Sequence, residues 1–366
     1  MLDTALNSLF TLVIVAAALA ACANFWQWFY AGPTGQDETV FFRTVDGWRL
    51  AVHHYRPAGE IRGLPVILCH GLSANRYVFD LPDGSSLARF LRGRGRDVWV
   101  VELRGSGMSD CPALRASDVP YSWGFEDHLR RDVPAAIRCV LERTGADAAH
   151  WVGHSMGGML ILAHLASSPD SPIASAVAVG SPINFSQVGS PLVVGLLKIK
   201  KVLEFLTIFP VPFLGKTVAP LAYHLPGVLL GLFYQPNLQP AVARRILAVI
   251  SQIVSPSSLW LEFGRFLEDG QFGPSRDRSY LDGLEASAVP ILVAAGSKDL
   301  VAPPAAVVPS DDFTENGQRR AFVTFGKAFG CREDYGHVDL LLGARVEAEV
   351  YPRILAWIDE HEPAAS

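Results

Sequence analysis

A serine set between two glycines, Gly153-His154-Ser155-Met156-Gly157, is the stretch of this chain best suited to do chemistry. A short apolar run, Ala149-His150-Trp151-Val152, leads into it, and an apolar small-residue run, Met159-Leu160-Ile161-Leu162-Ala163, leads out. Strand, sharp turn, helix is the context in which Gly-x-Ser-x-Gly presents a nucleophilic serine. Gly153, Gly157 and Gly158 supply the missing side chains that let so tight a turn close. The turn puts the Ser155 hydroxyl at a helix N-terminus, where backbone N–H groups favour developing negative charge. A hydroxyl is a weak nucleophile by itself, so the chemistry needs a base within reach and a group that orients the base. Five-residue motifs also occur by chance in loops, so the surrounding elements must decide.

Those elements alternate. Residues 38–42 and 48–55 read as two strands joined by the Asp46-Gly47 turn signal, which makes a hairpin. Pro65-Val66-Ile67-Leu68-Cys69-His70-Gly71 is a continuous apolar run entering a loop, the pattern of a strand buried on both faces. His70 reads as a brace for that loop. Residues 87–92 read as a helix, and residues 97–102 as another buried strand that runs into Arg104-Gly105. Asp132-Val133-Pro134 opens a further helix, with Asp132 as its cap and proline in its first turn, and Thr144-Gly145 closes it. Later strands are expected at residues 177–182, 289–296 and 322–325. Strand–helix alternation of this kind gives an α/β fold, a mostly parallel sheet with helices on both faces.

Of the 366 residues, half are hydrophobic and 18% are charged, which is apolar for a soluble protein. The net charge of −5 and the lack of a long basic run give no reason to expect nucleic-acid binding. Five cysteines without a Cys-x-x-Cys indicate neither a disulfide framework nor a zinc site, and a Cys111–Cys331 bridge has nothing to support it.

Much of the apolar excess lies at the N-terminus. No charged residue occurs between Thr4 and Gln36, and an apolar run is followed by Phe25-Trp26-Gln27-Trp28-Phe29-Tyr30. An apolar core with an aromatic belt predicts a membrane helix through residues 9–30, about 30 Å long and enough to span. Besides a buried or surface-lying amphipathic helix, two rivals stay open. One is a cleaved signal peptide, although the basic n-region is missing. The other is lipidation at Cys22, because Leu19-Ala20-Ala21-Cys22 is similar to a bacterial lipoprotein processing box.

Taken together, His70-Gly71-Leu72, Ser86-Leu87-Ala88, Asp97-Val98-Trp99, Arg104-Gly105, Asp132-Val133-Pro134-Ala135-Ala136-Ile137, Thr144-Gly145 and the serine motif resemble an α/β-hydrolase. Within that superfamily they are similar to the acid-lipase group of gastric and lysosomal lipases and their bacterial relatives. The resemblance covers residues 66–166 and resumes near the C-terminus. It departs at Met156, where that group usually carries glutamine.

The resemblance implies a site. The acid follows a late strand, which points to Asp299 in Gly296-Ser297-Lys298-Asp299. The base precedes a C-terminal helix, which points to His337 in Gly336-His337-Val338-Asp339. The order Ser155, Asp299, His337 is that of the superfamily. The implied oxyanion donors are the N–H groups of Leu72 and Met156. No metal or cofactor is called for.

The resemblance also divides the chain. Residues 1–36 are the anchor or signal, residues 37–185 and 286–366 are the two parts of the hydrolase core, and residues 186–285 are an inserted helical cap. Repeated prolines in the insertion (Pro210, Pro212, Pro220, Pro226, Pro236) rule out one long helix there. A greasy cap suits a site that binds acyl chains and excludes water. The expected activity is hydrolysis of carboxylic esters, lipid or otherwise apolar, at a membrane or in the cell envelope. Transfer of the acyl group to another acceptor and a non-catalytic scaffold are the alternatives.

Overall fold

The computed structural model describes residues 2–82, 84–110, 122–190, 195, 211–224, 232–249, 255–315 and 317–363. Among the described residues, eight strands form one sheet: β1 (Glu38–Arg43), β2 (Arg49–Tyr55), β3 (Val66–Cys69), β4 (Val98–Glu102), β5 (Ala149–His154), β6 (Ile173–Val179), β7 (Ile291–Gly296) and β8 (Arg320–Phe325). Their order across the sheet is β1-β2-β4-β3-β5-β6-β7-β8. β2 is antiparallel to both its neighbours, β1 and β4; β4, β3, β5, β6, β7 and β8 are mutually parallel. The hairpin expected around Asp46-Gly47 is present, and Gly47 adopts the positive φ of 89° that its turn requires.

The apolar runs of β3, β4, β5 and β7 are fully buried because each of these strands is covered twice. Alternate residues of β3 and β4 enter opposite cores: Ile67, Cys69, Trp99 and Val101 pack with the helices Val133–Thr144 and Met156–Ser167. Val66, Leu68, Val98 and Val100 pack with the helices Leu87–Arg92 and Tyr351–Glu360. Period-two alternation between two cores is what a sheet with helices on both faces demands.

One local expectation is corrected. Asp132 does not cap a helix start: the helical run begins at Phe125, passes through a wide turn at His128–Asp132 and continues as Val133–Thr144. The Asp132 carboxylate instead accepts hydrogen bonds from Arg104 Nη2 (2.6 Å) and His128 Nδ1 (2.8 Å), all of them buried. A buried ion pair outcompetes a cap because an unpaired carboxylate there is costly. Gly145 closes the helix in the left-handed conformation, as expected.

Between β6 and β7 the chain leaves the sheet. Among the described residues it forms the helices Val211–Val218, Pro240–Val249 and Ser257–Asp269. The N-terminus is one helix, Leu2–Tyr30. Cys22, Cys69, Cys139 and Cys331 are free thiols; Cys111 lies outside the described residues.

Candidate active site

Parallel strands bring their C-terminal ends to one edge, and the loops there gather the side chains singled out by sequence. Ser155 follows β5 directly, with φ 53° and ψ −120°. Ser73, in the loop after β3, is the other described non-glycine residue at positive φ, 51°. Two strained serines in facing loops mark a place where backbone geometry is imposed by its surroundings.

The strain at Ser155 is held by contacts that only glycine permits. A Cβ on Gly153 would lie 2.2 Å from the Gly157 carbonyl, and one on Gly157 would lie 2.1 Å from the Cys69 carbonyl. Gly71 brings the β3 loop against the serine: a Cβ there would sit 2.7 Å from the Ser155 Cβ. The Ser155 N–H donates to the Val179 carbonyl, and its carbonyl accepts from Gly158 and Met159, which starts the helix Met156–Ser167. The N–H of Met156 lies in that first turn. Among the described residues, neither this N–H nor that of Leu72 donates to any group.

His70 braces the loop, as its sequence context suggested. Its Nδ1–H donates to the Gly71 carbonyl (2.8 Å) and its Nε2 accepts from the Leu103 N–H (3.2 Å). One donor and one acceptor require the neutral ring, and burial holds its pKa down at about 4.

Asp299 and His337 meet. Asp299 follows β7 and His337 lies in the turn after β8; Asp299 Oδ2 is 2.8 Å from His337 Nδ1, and both residues are buried. Asp299 Oδ1 accepts from the N–H groups of Val301 (2.8 Å) and Ala302 (2.7 Å), so the carboxylate has one end fixed and one end on the imidazole. Gly180, after β6, makes room for the pair at φ 57°; a Cβ there would be 3.3 Å from both. Among the described residues no hydrogen bond joins the Ser155 hydroxyl to His337. Such contacts commonly tighten only when substrate is bound.

Two residues near the pair escaped sequence reasoning. His154 is buried, its Nε2–H donates to the His337 carbonyl (3.1 Å), and its ring lies 4.8 Å from the His337 ring. Burial, with the neighbouring His337, pulls its pKa down to about 3, so it is a neutral donor. Its Nδ1 is buried without a partner among the described residues. Asp339 accepts from the N–H groups of Gly336 (2.8 Å) and Tyr234 (3.0 Å), and burial lifts its carboxyl to about 7. It therefore ties the inserted segment to the His337 turn. The signal for both was adjacency: one precedes the serine, the other follows the histidine by two.

The insertion touches both sides of the site. The Val338 N–H donates to the Leu232 carbonyl (2.8 Å) and the Ala344 N–H to that of Asn237 (2.8 Å). On the other side, Ser73 and Ser255 share a hydroxyl hydrogen bond (2.8 Å), and Asn75 Nδ2 donates to the Val249 carbonyl (2.8 Å).

With this geometry in hand, comparison with known proteins gives the family. Residues 65–329 match the model of the alpha/beta hydrolase fold family. The chain is an α/β-hydrolase. Gastric triacylglycerol lipase of Bos taurus is 33% identical over 135 residues, which is 34% of this chain and 34% of that protein. Lipase member K of Homo sapiens is 32% identical over 139 residues, 35% of this chain and 34% of that protein. The chain thus aligns with about a third of the length of the curated relatives it matches. Solved structures share the fold at lower identity. A putative aryl esterase from Burkholderia cenocepacia superposes with TM-score 0.53 at 20% identity, over 88% of this chain and 99% of that one. A structure described as a membrane phospholipase A superposes with TM-score 0.53 at 17% identity, over the whole of both chains.

Proposed function

We propose that this α/β-hydrolase cleaves carboxylic esters with lipid or other apolar acyl groups, using Ser155 as nucleophile, His337 as base and Asp299 as the group that orients it. The carrying observation is the strained Ser155 at the sheet edge, beside two N–H groups with no described acceptor and the buried His337–Asp299 pair. The lipase relatives support the same reaction class.

In the proposed reaction His337 Nε2 takes the Ser155 proton as the oxygen attacks the acyl carbonyl. The same nitrogen then gives that proton to the departing alkoxide. Asp299 keeps hydrogen on Nδ1, which leaves Nε2 free as base, and stabilises the imidazolium. The N–H groups of Leu72 and Met156 receive the oxyanion, each worth about 3 kcal/mol in the transition state. Water, activated by His337, releases the acyl group from Ser155.

In this reading residues 37–185 and 286–366 form the core and residues 186–285 the cap that selects apolar substrates. Residues Phe10–Tyr30, apolar and long enough to span, hold the protein at a membrane of the cell or its envelope.

A fluorophosphonate probe tests the nucleophile: Ser155 is labelled, and labelling is lost in Ser155→Ala and His337→Ala. An unlabelled parent protein refutes the reading and leaves a non-catalytic scaffold. An ester panel graded by acyl length, with and without micelles, tests the substrate class; preference for short soluble esters without a micelle response refutes the lipid assignment.

A further inference from the structure

The helix Leu2–Tyr30 has two different surfaces. Over its first part it stands clear of the protein: Phe10, Leu12, Val13, Ile14, Val15 and Leu19 are all exposed. Over its last three turns one face is docked. Ala23 is 1% exposed, and Ala20, Gln27 and Tyr30 are half-buried. These four positions share one stripe of a helix, spaced three and four residues apart. The opposite side, Phe25, Trp28 and Phe29, remains exposed.

What the stripe docks against is the insertion. The helix packs on Val211–Val218 and Pro240–Val249, two of the insertion's helices. Tyr30 packs against the core cluster that includes Ala219, Ala222, Val242 and Ile246. At the centre of the contact Lys216 Nζ donates to Gln27 Oε1 (2.7 Å), a polar bond in a half-buried apolar seam. Left unpaired there, the ammonium and the amide would each cost free energy. The next residues are stitched to the core: the Tyr77 hydroxyl donates to the Gly32 carbonyl (3.1 Å) and Arg92 Nη1 to that of Gly35 (3.1 Å).

An exposed apolar segment of this size needs a partner. From Phe10 to Tyr30 it runs 21 residues without a charge, which suits a bilayer in length and composition. We propose that the helix is shared between two partners, a bilayer around its free surface and the insertion along Ala20, Ala23, Gln27 and Tyr30. The insertion is thereby held against the membrane, and acyl esters reach the site from the bilayer. The substrate route rests on the ester-hydrolase reading; the docked stripe is an observation independent of it. The opposite arrangement, a passive tether with the hydrolase swinging freely, would need no matched stripe and no Gln27–Lys216 bond.

The test uses the full chain with phosphatidylcholine vesicles that carry a long-chain fluorogenic acyl ester, beside p-nitrophenyl butyrate in solution. Ala23→Trp forces the helix off the insertion, and Lys216→Met removes the bond with little change of volume. Both variants should float with vesicles and keep soluble-ester turnover. Vesicle-ester turnover should fall about 10-fold in Ala23→Trp and about 3-fold in Lys216→Met, as misplacement of a bound substrate does. If Ala23→Trp does not fold, Lys216→Met alone decides. An unchanged ratio of vesicle to soluble turnover in the folded variants overturns the proposal. So does a parent protein that stays out of the vesicle fraction and pairs with a second copy through the exposed face. A parent inactive on both esters defeats the ester-hydrolase reading and the substrate route with it, an outcome distinct from an unchanged ratio.

Discussion

Replacing Asp299 by Asn is nearly isosteric, yet the structure makes it severe. Asp299 Oδ1 faces two N–H groups, from Val301 at 2.8 Å and Ala302 at 2.7 Å, and Oδ2 faces His337 Nδ1 at 2.8 Å. In the asparagine variant the oxygen must stay with the two backbone donors, because turning the amide would set N–H against N–H. The NH2 group is then aimed at Nδ1, which must accept. The imidazole proton moves to Nε2, and the nitrogen that should take the Ser155 proton no longer has a lone pair. Loss of the base tautomer costs about 10⁴ in turnover, or about 5.5 kcal/mol. The assay is p-nitrophenyl butyrate hydrolysis at neutral pH, with thermal unfolding of parent and variant alongside. A variant that unfolds near the parent's temperature and retains more than about a tenth of its rate would refute the tautomer argument and, with it, the assignment of Asp299.

Other expectations follow from single contacts. His154→Leu removes the donor to the His337 carbonyl, so kcat should drop about 10-fold with KM unchanged, while His154→Gln, whose amide can reach the same carbonyl, restores most of it; equal loss in both variants would mean His154 only fills space. Gly157→Ala places a methyl 2.1 Å from the Cys69 carbonyl and should cost about 3 kcal/mol of stability or prevent soluble expression, read by urea unfolding. Glu102 is buried on His53 Nε2 (2.9 Å) and Arg76 Nη1 (3.0 Å), and despite burial its pKa is held down, from 4.5 to about 2. A depressed carboxylate stabilises the fold above its unfolded pKa, and that contribution is lost as pH falls from about 4.5 towards 2. Glu102→Gln should therefore lose up to about 3 kcal/mol at pH 7 and show a smaller further loss at pH 3, and parallel pH curves for parent and variant would contradict this.

How much of this was legible beforehand depended on the range of the interaction. The sheet was readable because a strand buried on both faces must be a continuous apolar run, as Val66-Ile67-Leu68-Cys69 and Ile291-Leu292-Val293-Ala294 are. The elbow was readable because the crowding that demands Gly153 is local, from Gly157 and Gly158, although Gly157 itself is demanded by the Cys69 carbonyl at the end of β3. Asp132 was misread because a local cap and a partner 28 positions away, Arg104, compete for the same carboxylate, and only the fold reveals the partner. His154 carries no role in the sequence reading, since its acceptor is a backbone carbonyl 183 residues on. The docked stripe was invisible for a different reason. Two alanines, a glutamine and a tyrosine inside an apolar helix carry no pattern that distinguishes a protein neighbour from lipid.

The pairing of β6 with β7 has a consequence for how such a protein can diversify. Ala176 to Val179 lie opposite Ile291 to Ala294 in two adjacent parallel strands, so the exit from β6 at Val179 and the entry to β7 at Ile291 lie at opposite ends of the pair, and the sheet fixes the distance between them. The sheet has already closed that loop, whatever lies within it. Doubling the intervening length adds only about 0.6 kcal/mol of closure entropy. Ser155 lies before the excursion, and Asp299 and His337 lie after it. On the proposed reading, substrate preference can therefore be rewritten by inheritance of a new insertion, shorter, longer or differently greasy, while the three proposed triad residues keep their coordinates.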